Sequence, residues 1–228
     1  YLDALDRRRW VMDVGTQVPH GALRAYVMGE RGAANEPATA ADRAGLGYVA
    51  VCDHVAVPVA QVEAMGAEWW DTVATLGWLA GLTERTLLVS HVAVPAYRHP
   101  LAVAKAFATL DVVSGGRAVL GVGAGHVEGE FAALGVPFEE RGRLLDEAID
   151  AVRACFASET PSHRGERWSF DGVAQRPRPV QVDGPPIWVG GSSTPAIRRA
   201  ATRGDGWLPQ GPLTADLVDA VRAALVAA

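Results

Sequence analysis

Three short apolar runs each end close to a histidine: Asp53-His54 follows YVAVC, His91 lies within TLLVSHVAVP, and His126 follows AVLGVGA. If these runs are parallel strands, their carboxyl ends meet at one rim, which is where α/β folds gather their chemistry. An imidazole with an unperturbed pKa of about 6.5 can give or take a proton near neutral pH. His54 and His126, with Asp53 beside them, are therefore candidate acid–base residues. Each histidine has a structural alternative, and three imidazoles with a carboxylate could also satisfy zinc. The His-x-His and His-E-x-x-H spacings that make a zinc assignment specific are absent, so acid–base work is preferred and no metal is expected.

Two glycine-rich turns add binding chemistry. Gly190-Gly191-Ser192-Ser193-Thr194-Pro195 lies between an expected strand and an expected helix. Free amides and the positive helix end at such a turn favour a phosphate, the dipole part contributing about 0.3–1 kcal/mol; an ordinary strand-to-helix turn is the alternative. In Gly121-Val122-Gly123-Ala124-Gly125 the third glycine of G-x-G-x-x-G would fall at His126, so the dinucleotide fingerprint fails. Glycines there suit the close approach of a flat ring to the backbone, or equally a tight turn. Trp69 and Trp70 fit core packing or contact with a substrate at the mouth of the site. Arg98, His99 and Lys105 could neutralise an anion, with solvated surface as the default for Lys105.

Alternating strands and helices must position these residues. Strands are expected over Val11–Val18, Tyr48–Cys52, Thr86–Pro95, Ala118–Gly123, Ile187–Val189 and Asp205–Pro209. Helices are expected over Ala38–Ala44, Thr72–Leu82 with Asp71 as cap, Pro100–Val113, Glu139–Phe156, Ser193–Arg203 and Thr214–Ala227. The clearest is Glu139–Phe156, where Leu145, Ile149, Val152 and Phe156 share one face. Residues 157–185 are polar and rich in Pro and Gly, so they form an excursion rather than a core element. The alternation implies a parallel sheet with right-handed crossovers, in a single domain over residues 1–228. Six such units are visible where a closed barrel needs eight. A TIM-type barrel is therefore expected to be shortened or incomplete towards its C-terminus, with open edges that a second copy in a homodimer or higher homo-oligomer could cover.

Composition narrows the partners. The 228 residues, 49% hydrophobic and 21% charged, can bury a sizeable core. A net charge of −5 spread along the chain offers no basic footprint for nucleic acid and no polybasic membrane patch. A small molecule is the expected partner. Cys52 and Cys155 lack CxxC spacing and are expected as small core residues, which suits a reducing cytoplasm. No apolar run reaches membrane-spanning length and no secretory pattern opens the sequence, so a cytoplasmic location is expected.

Taken in order, GLGYVAVCDHVAVP, SHVAVPAYRHPLAVAKAFATLDVVSGGRAVLGVGAGHVEGEFAALGV, RGRLLDEAIDAVRACF and PPIWVGGSSTPAIRRAATRGDGW resemble the bacterial luciferase-like monooxygenase superfamily, and within it the deazaflavin (coenzyme F420)-dependent oxidoreductases. The resemblance runs from about Met12 to Trp207. It implies a TIM barrel holding a flavin-type ring at the carboxyl ends of its strands, and hydride transfer between F420 and a small organic substrate. Asp53 and His54 would stand beside the ring or substrate. His91 and Val92 would form the strand-three bulge, where a non-prolyl cis peptide commonly supports the ring. Gly123, Ala124 and Gly125 would line the ring, and Gly190, Gly191, Ser192 and Ser193 would receive the cofactor phosphate. His126 replaces a carboxylate found in sugar-phosphate-oxidising relatives, and His91 stands where a small residue is common. The rival expectations are an FMN-dependent monooxygenase, a non-catalytic flavin-binding protein with a reduced barrel, and, third, a zinc hydrolase.

Overall fold

The computed structural model describes residues 45–228. The strand expected over Val11–Val18 and the helix expected over Ala38–Ala44 lie outside them. Strands β1 (Tyr48–Val51), β2 (Leu87–Ser90), β3 (Ala118–Val122), β6 (Ile187–Gly190) and β7 (Gly206–Leu208) form one parallel sheet in the order β1-β2-β3-β6-β7. The pairing Tyr48 with Leu87, Leu88 with Ala118, Leu120 with Ile187 and Val189 with Trp207 sets the register. Among the described residues the sheet is a five-stranded half-barrel. β4 (His163–Arg164) and β5 (Ser169–Phe170) form a separate antiparallel hairpin within the excursion.

Side chains alternate across this sheet with the period of two that extended backbone imposes. Val49, Val51, Leu88, Leu120, Val122, Ile187 and Val189 face outward into the main core. There they meet Leu76 and Leu79 of α2 (Thr72–Ala80), Val103 and Phe107 of α3 (Pro100–Ser114), and Leu145, Ile149, Val152 and Phe156 of α5 (Arg141–Ala157). All four α5 positions expected on one face are buried in that core. The opposite set, Val89, Val119 and Leu208 with Tyr48, Leu87 and Trp188 packed around them, lines the concave face. Helix α6 (Thr194–Arg203) follows β6, and α7 (Ala215–Ala227) closes the described chain.

Two buried charged side chains, Arg117 and Asp111, hold the architecture together. The buried Arg117 guanidinium donates to the carbonyls of Ser114, Thr86, Ala80 and Thr83 and to Thr83 Oγ1, all at 2.7–2.9 Å, tying the ends of α2 and α3 to the start of β2. Asp111, fully buried on α3, accepts from Val180 N at 2.8 Å, Gln181 N at 3.0 Å and Gln181 Nε2 at 2.6 Å, and so anchors the end of the excursion. Gly115, with φ of 68°, ends α3 in the left-handed conformation that glycine adopts without steric cost.

Asp71 caps α2 as expected, its Oδ1 accepting from Ala74 N at 2.8 Å. Removing a cap of this kind costs about 1 kcal/mol. Asp71→Ala is therefore expected to lower the thermal midpoint by about 2–4 °C for a domain of this size, read by differential scanning fluorimetry. An unchanged midpoint would show that the cap contributes nothing.

Several boundaries differ from expectation. β2 stops at Ser90, not Pro95, because the chain bulges at His91-Val92, whose peptide is cis, before Ala93 bridges back to Val122. The long helix begins at Arg141 after a 3₁₀ turn over Phe138–Glu140, and α2 ends at Ala80. Two short helices were not expected: α1 (Val62–Met65) and α4 (Glu128–Ala133), both in the loops after strand ends and too short for periodicity to mark them. The excursion also enters the core, because Trp168 packs with Phe131, Leu144 and Ala148.

Candidate active site

The carboxyl ends of all five strands of the described sheet, β7 through Leu208 and Pro209, open onto one cavity of about 800 Å³. β1 delivers Asp53 and His54, β2 His91 and Val92, β3 Gly123 through His126, and β6 Gly190 through Ser193, all of which line it. Every expected cofactor-binding residue is thus brought to one place. The tryptophans are not part of the lining. Trp69 reaches the site through His54, its ring centroid 4.5 Å from the imidazole, with its Nε1 donating to Gly66 O at 3.2 Å. Trp70 is exposed and makes no such approach.

The floor is set by Val92. A Cβ built on Gly123 would lie 2.5 Å from Val92 Cγ2, and one on Gly190 would lie 2.6 Å from Val92 Cγ1. Both glycines therefore make room for this side chain, which stands between β3 and β6 at the cavity. Gly125, with φ of 81°, has Phe131 behind it at 2.7 Å from a built Cβ. The glycine run thus serves protein packing at these positions, and the apolar platform that a flat ring could meet is Val92 itself.

Beside the floor lies a buried polar network. His54 Nδ1 is 3.1 Å from Glu130 Oε2, and Glu130, on α4, is only 1% exposed. Its other oxygen accepts from the amides of Val55 and, at 3.0 Å, Ala56, while Tyr97 Oη donates to Oε2 at 3.1 Å. Burial opposes ionisation of Glu130, but these hydrogen bonds outweigh it and hold its pKa below the usual carboxylate value. A carboxyl whose folded pKa is depressed contributes stability at neutral pH that is lost as pH falls through the folded value. Burial and the facing Glu130 charge raise the pKa of the Tyr97 phenol, so it stays a donor.

Asp53 has both oxygens engaged: Arg98 contacts them with two nitrogens at 2.7 Å each, and Val94 N donates at 2.9 Å. Burial works against the Arg98 charge, but the contact with Asp53 prevails and raises its pKa. This bidentate pair braces the end of β1 against the segment after β2. Arg98 is accordingly committed to Asp53. His99 caps α3, its Nδ1 accepting from Leu101 N at 3.2 Å, and Lys105 donates to the Arg176 carbonyl, so the other two cations considered for an anionic ligand are also engaged within the chain. Burial lowers the His91 pKa, which favours its neutral form. His126 is exposed, and its ring stands edge-on to His54 with centroids 6.1 Å apart. Among the described residues no three His, Cys, Asp or Glu side chains are disposed to hold a metal ion.

At the far end, the Gly190–Ser193 turn enters α6, with Pro195 in its first turn and no side chain bonded to the capping amides. Gly191 has φ of 114°, and Ser192 Oγ donates to Gln210 O at 2.7 Å while accepting from Gln210 N at 2.9 Å. Arg141 lines the same cavity, its guanidinium 3.9 Å from the Phe138 ring centroid. Arg199 also lines it, but its charge is paired with Asp146 at 2.6 Å. Glu130, Tyr97 and Arg141 were not legible in the sequence. Glu130 looks like the solvent-facing Glu128 two residues before it, and Arg141 like any cation on the polar side of α5.

Residues 12–228 match the luciferase-like monooxygenase family over nearly their whole length. The chain belongs to that family. Among its relatives, the F420-dependent hydroxymycolic acid dehydrogenase of Mycobacterium tuberculosis (strain ATCC 25618 / H37Rv) is 35% identical over 176 residues, covering 76% of this chain and 47% of that protein. The monooxygenase RslO1 from Streptomyces bottropensis superposes with a TM-score of 0.72 at 28% identity, over 82% of this chain and 57% of its own. An F420-dependent secondary alcohol dehydrogenase, solved with an F420-acetone adduct, superposes with a TM-score of 0.71 at 21% identity, over the same shares of the two chains. The likeness extends the half-barrel to the luciferase-like TIM-barrel fold. The chain spans about half the length of the curated relatives it matches. Among the described residues no helix is long and apolar enough to cross a membrane.

Proposed function

We propose that this luciferase-like protein is an F420-dependent oxidoreductase acting on a small organic substrate. The observation that carries the reading is the joint presence, around one cavity, of an apolar platform at Val92, a partnered imidazole at His54 and, at Gly190–Ser193, a strand-to-helix turn that opens α6 with no side-chain cap at Ser193. F420-dependent relatives in the same family support the choice of cofactor.

The residues suit such a group. Val92, with Gly123, Ala124 and Gly125 beside it, would support the ring. Gly190, Gly191, Ser192 and Ser193 at the positive end of α6, with Arg141 lining the same cavity, would hold the phosphate. A bound deazaflavin supplies hydride exchange at a single ring carbon. The protein's part is position and proton traffic. His54 exchanges a proton with the substrate at Nε2, since its Nδ1 faces Glu130. His126, exposed at the mouth and edge-on to His54, is the second proton carrier. Asp53 acts through its brace to Arg98 and Val94, and Trp69 limits the movement of the His54 ring.

Titration of the purified protein with F420 and with FMN, followed in the visible spectrum, tests the reading. Saturable binding of F420, tighter than that of FMN, is the expected result. Binding of neither overturns it. Preference for FMN selects the second reading, an FMN-dependent monooxygenase, which the family and the similarity to RslO1 favour. Tight retention without turnover of any acceptor selects a flavin-binding protein instead.

A further inference from the structure

We infer that Glu130 is the positioning residue for His54: it fixes the imidazole in the tautomer that carries its proton on Nδ1 and so keeps Nε2 as the nitrogen presented for proton exchange. This rests on the proposed proton-transfer role of His54. The residue lies on a six-residue helix at the carboxyl end of β3, 76 positions along the chain from its histidine.

The hydrogen-bond inventory of Glu130 dictates the tautomer. Oε1 is held by the amides of Val55 and Ala56, which can only donate. Oε2 faces His54 Nδ1 and the Tyr97 hydroxyl, both at 3.1 Å. A carboxylate is an acceptor at both oxygens, so the contact is made only when Nδ1 carries hydrogen. The neutral ring then has its lone pair on Nε2. The remaining ionisable neighbours are His126, edge-on to His54 at 6.1 Å, and the Asp53–Arg98 pair at the preceding residue; the apolar neighbour is Trp69. Asp53 and Arg98 are instead engaged with each other, and Asp53 also with the Val94 amide. Tyr97, whose ring packs against Phe131 at 4.8 Å between centroids, fixes the rotamer of the carboxylate from the other side. Sequence could not assign this, because a hydrogen bond across 76 positions leaves no local pattern.

Glu130→Gln is isosteric but reverses the instruction. The two backbone donors keep the amide oxygen at the Oε1 position, so the NH₂ group takes the place of Oε2 and donates to Nδ1. The ring must then carry its proton on Nε2, the wrong nitrogen. Long-range ¹H–¹⁵N NMR of histidine-labelled protein reads the tautomer without any cofactor. The wild type is expected to show Nδ1–H at His54, and Glu130→Gln to show Nε2–H, with turnover lower by about 10²-fold or more and KM changed far less. Glu130→Asp should restore the tautomer and part of kcat. A wild-type His54 that is mainly Nε2–H overturns the inference even if the variant fails to fold, as does a Glu130→Gln protein with unchanged tautomer and unchanged kcat. If the tautomer switches as expected while neither F420 nor FMN binds the wild type, the positioning stands and the cofactor reading falls.

Discussion

Replacing His54 by Ala is expected to lower turnover by about 10²–10⁴-fold while leaving F420 affinity within a few-fold of the wild type. The range follows from what the side chain supplies. General acid–base catalysis by a positioned imidazole contributes that much, and His54 is positioned twice over, by the 3.1 Å contact with Glu130 and by the ring of Trp69. Cofactor affinity should survive because the expected phosphate grip at Gly190–Ser193 and the floor at Val92 belong to other strands. His126→Ala should cost less, since His126 is exposed and has no carboxylate partner of the kind His54 has. Steady-state kinetics with separate spectroscopic determination of Kd distinguishes the two effects. Normal turnover in both variants would remove proton transfer by these histidines from the mechanism.

Gly121→Ala is expected to destabilise the fold by about 3 kcal/mol or more, at the upper end for overpacking. A Cβ at this central position of β3 would overlap the backbone carbonyl oxygen of Ser90 and press on Leu208 Cδ1 at 3.0 Å. Neither neighbour can yield cheaply. The Ser90 hydroxyl and the Ala93 amide both donate to the Gly121 carbonyl at 2.8 Å, so β3 is locked at that point to the end of β2 and the segment that follows it. The loss corresponds to a fall of about 6–12 °C in thermal midpoint. It is a large fraction of the stability of an ordinary domain, about 5–15 kcal/mol. Gly77→Ala supplies the contrast, because a Cβ there, within helix α2, meets nothing within 4 Å. That change should stabilise by about 0.5–1 kcal/mol through backbone entropy. Equal midpoints for the two variants would refute the packing argument.

The alternation of strands and helices was legible because parallel strands buried on both faces read as apolar runs and because α5 places a clean stripe on the core. Strand ends carry their chemistry with them, so His54, His91, His126 and the glycine turns could be found from adjacency alone. What sequence could not supply is the partner of each group. Asp53 looked available, yet Arg98, 45 positions on, occupies it. Gly123 suggested a ring against the backbone and Gly190 a phosphate turn, yet the space a Cβ would take at either is filled by Val92. Asp111 and Arg117 were given no role from sequence, yet Asp111 anchors the end of the excursion and Arg117 holds the ends of two helices. Pairings of this kind are tertiary, and no local period or propensity encodes them.

One isopropyl group, that of Val92, rests in hollows cut by glycines on two other strands. The seat for a ligand is therefore common property of three segments, and none of them can be retuned alone. Enlarging either glycine presses on Val92, so a change at one segment calls for a matching change at another. The floor of the cavity is in this sense a joint between separate parts of the chain rather than a surface of any one of them.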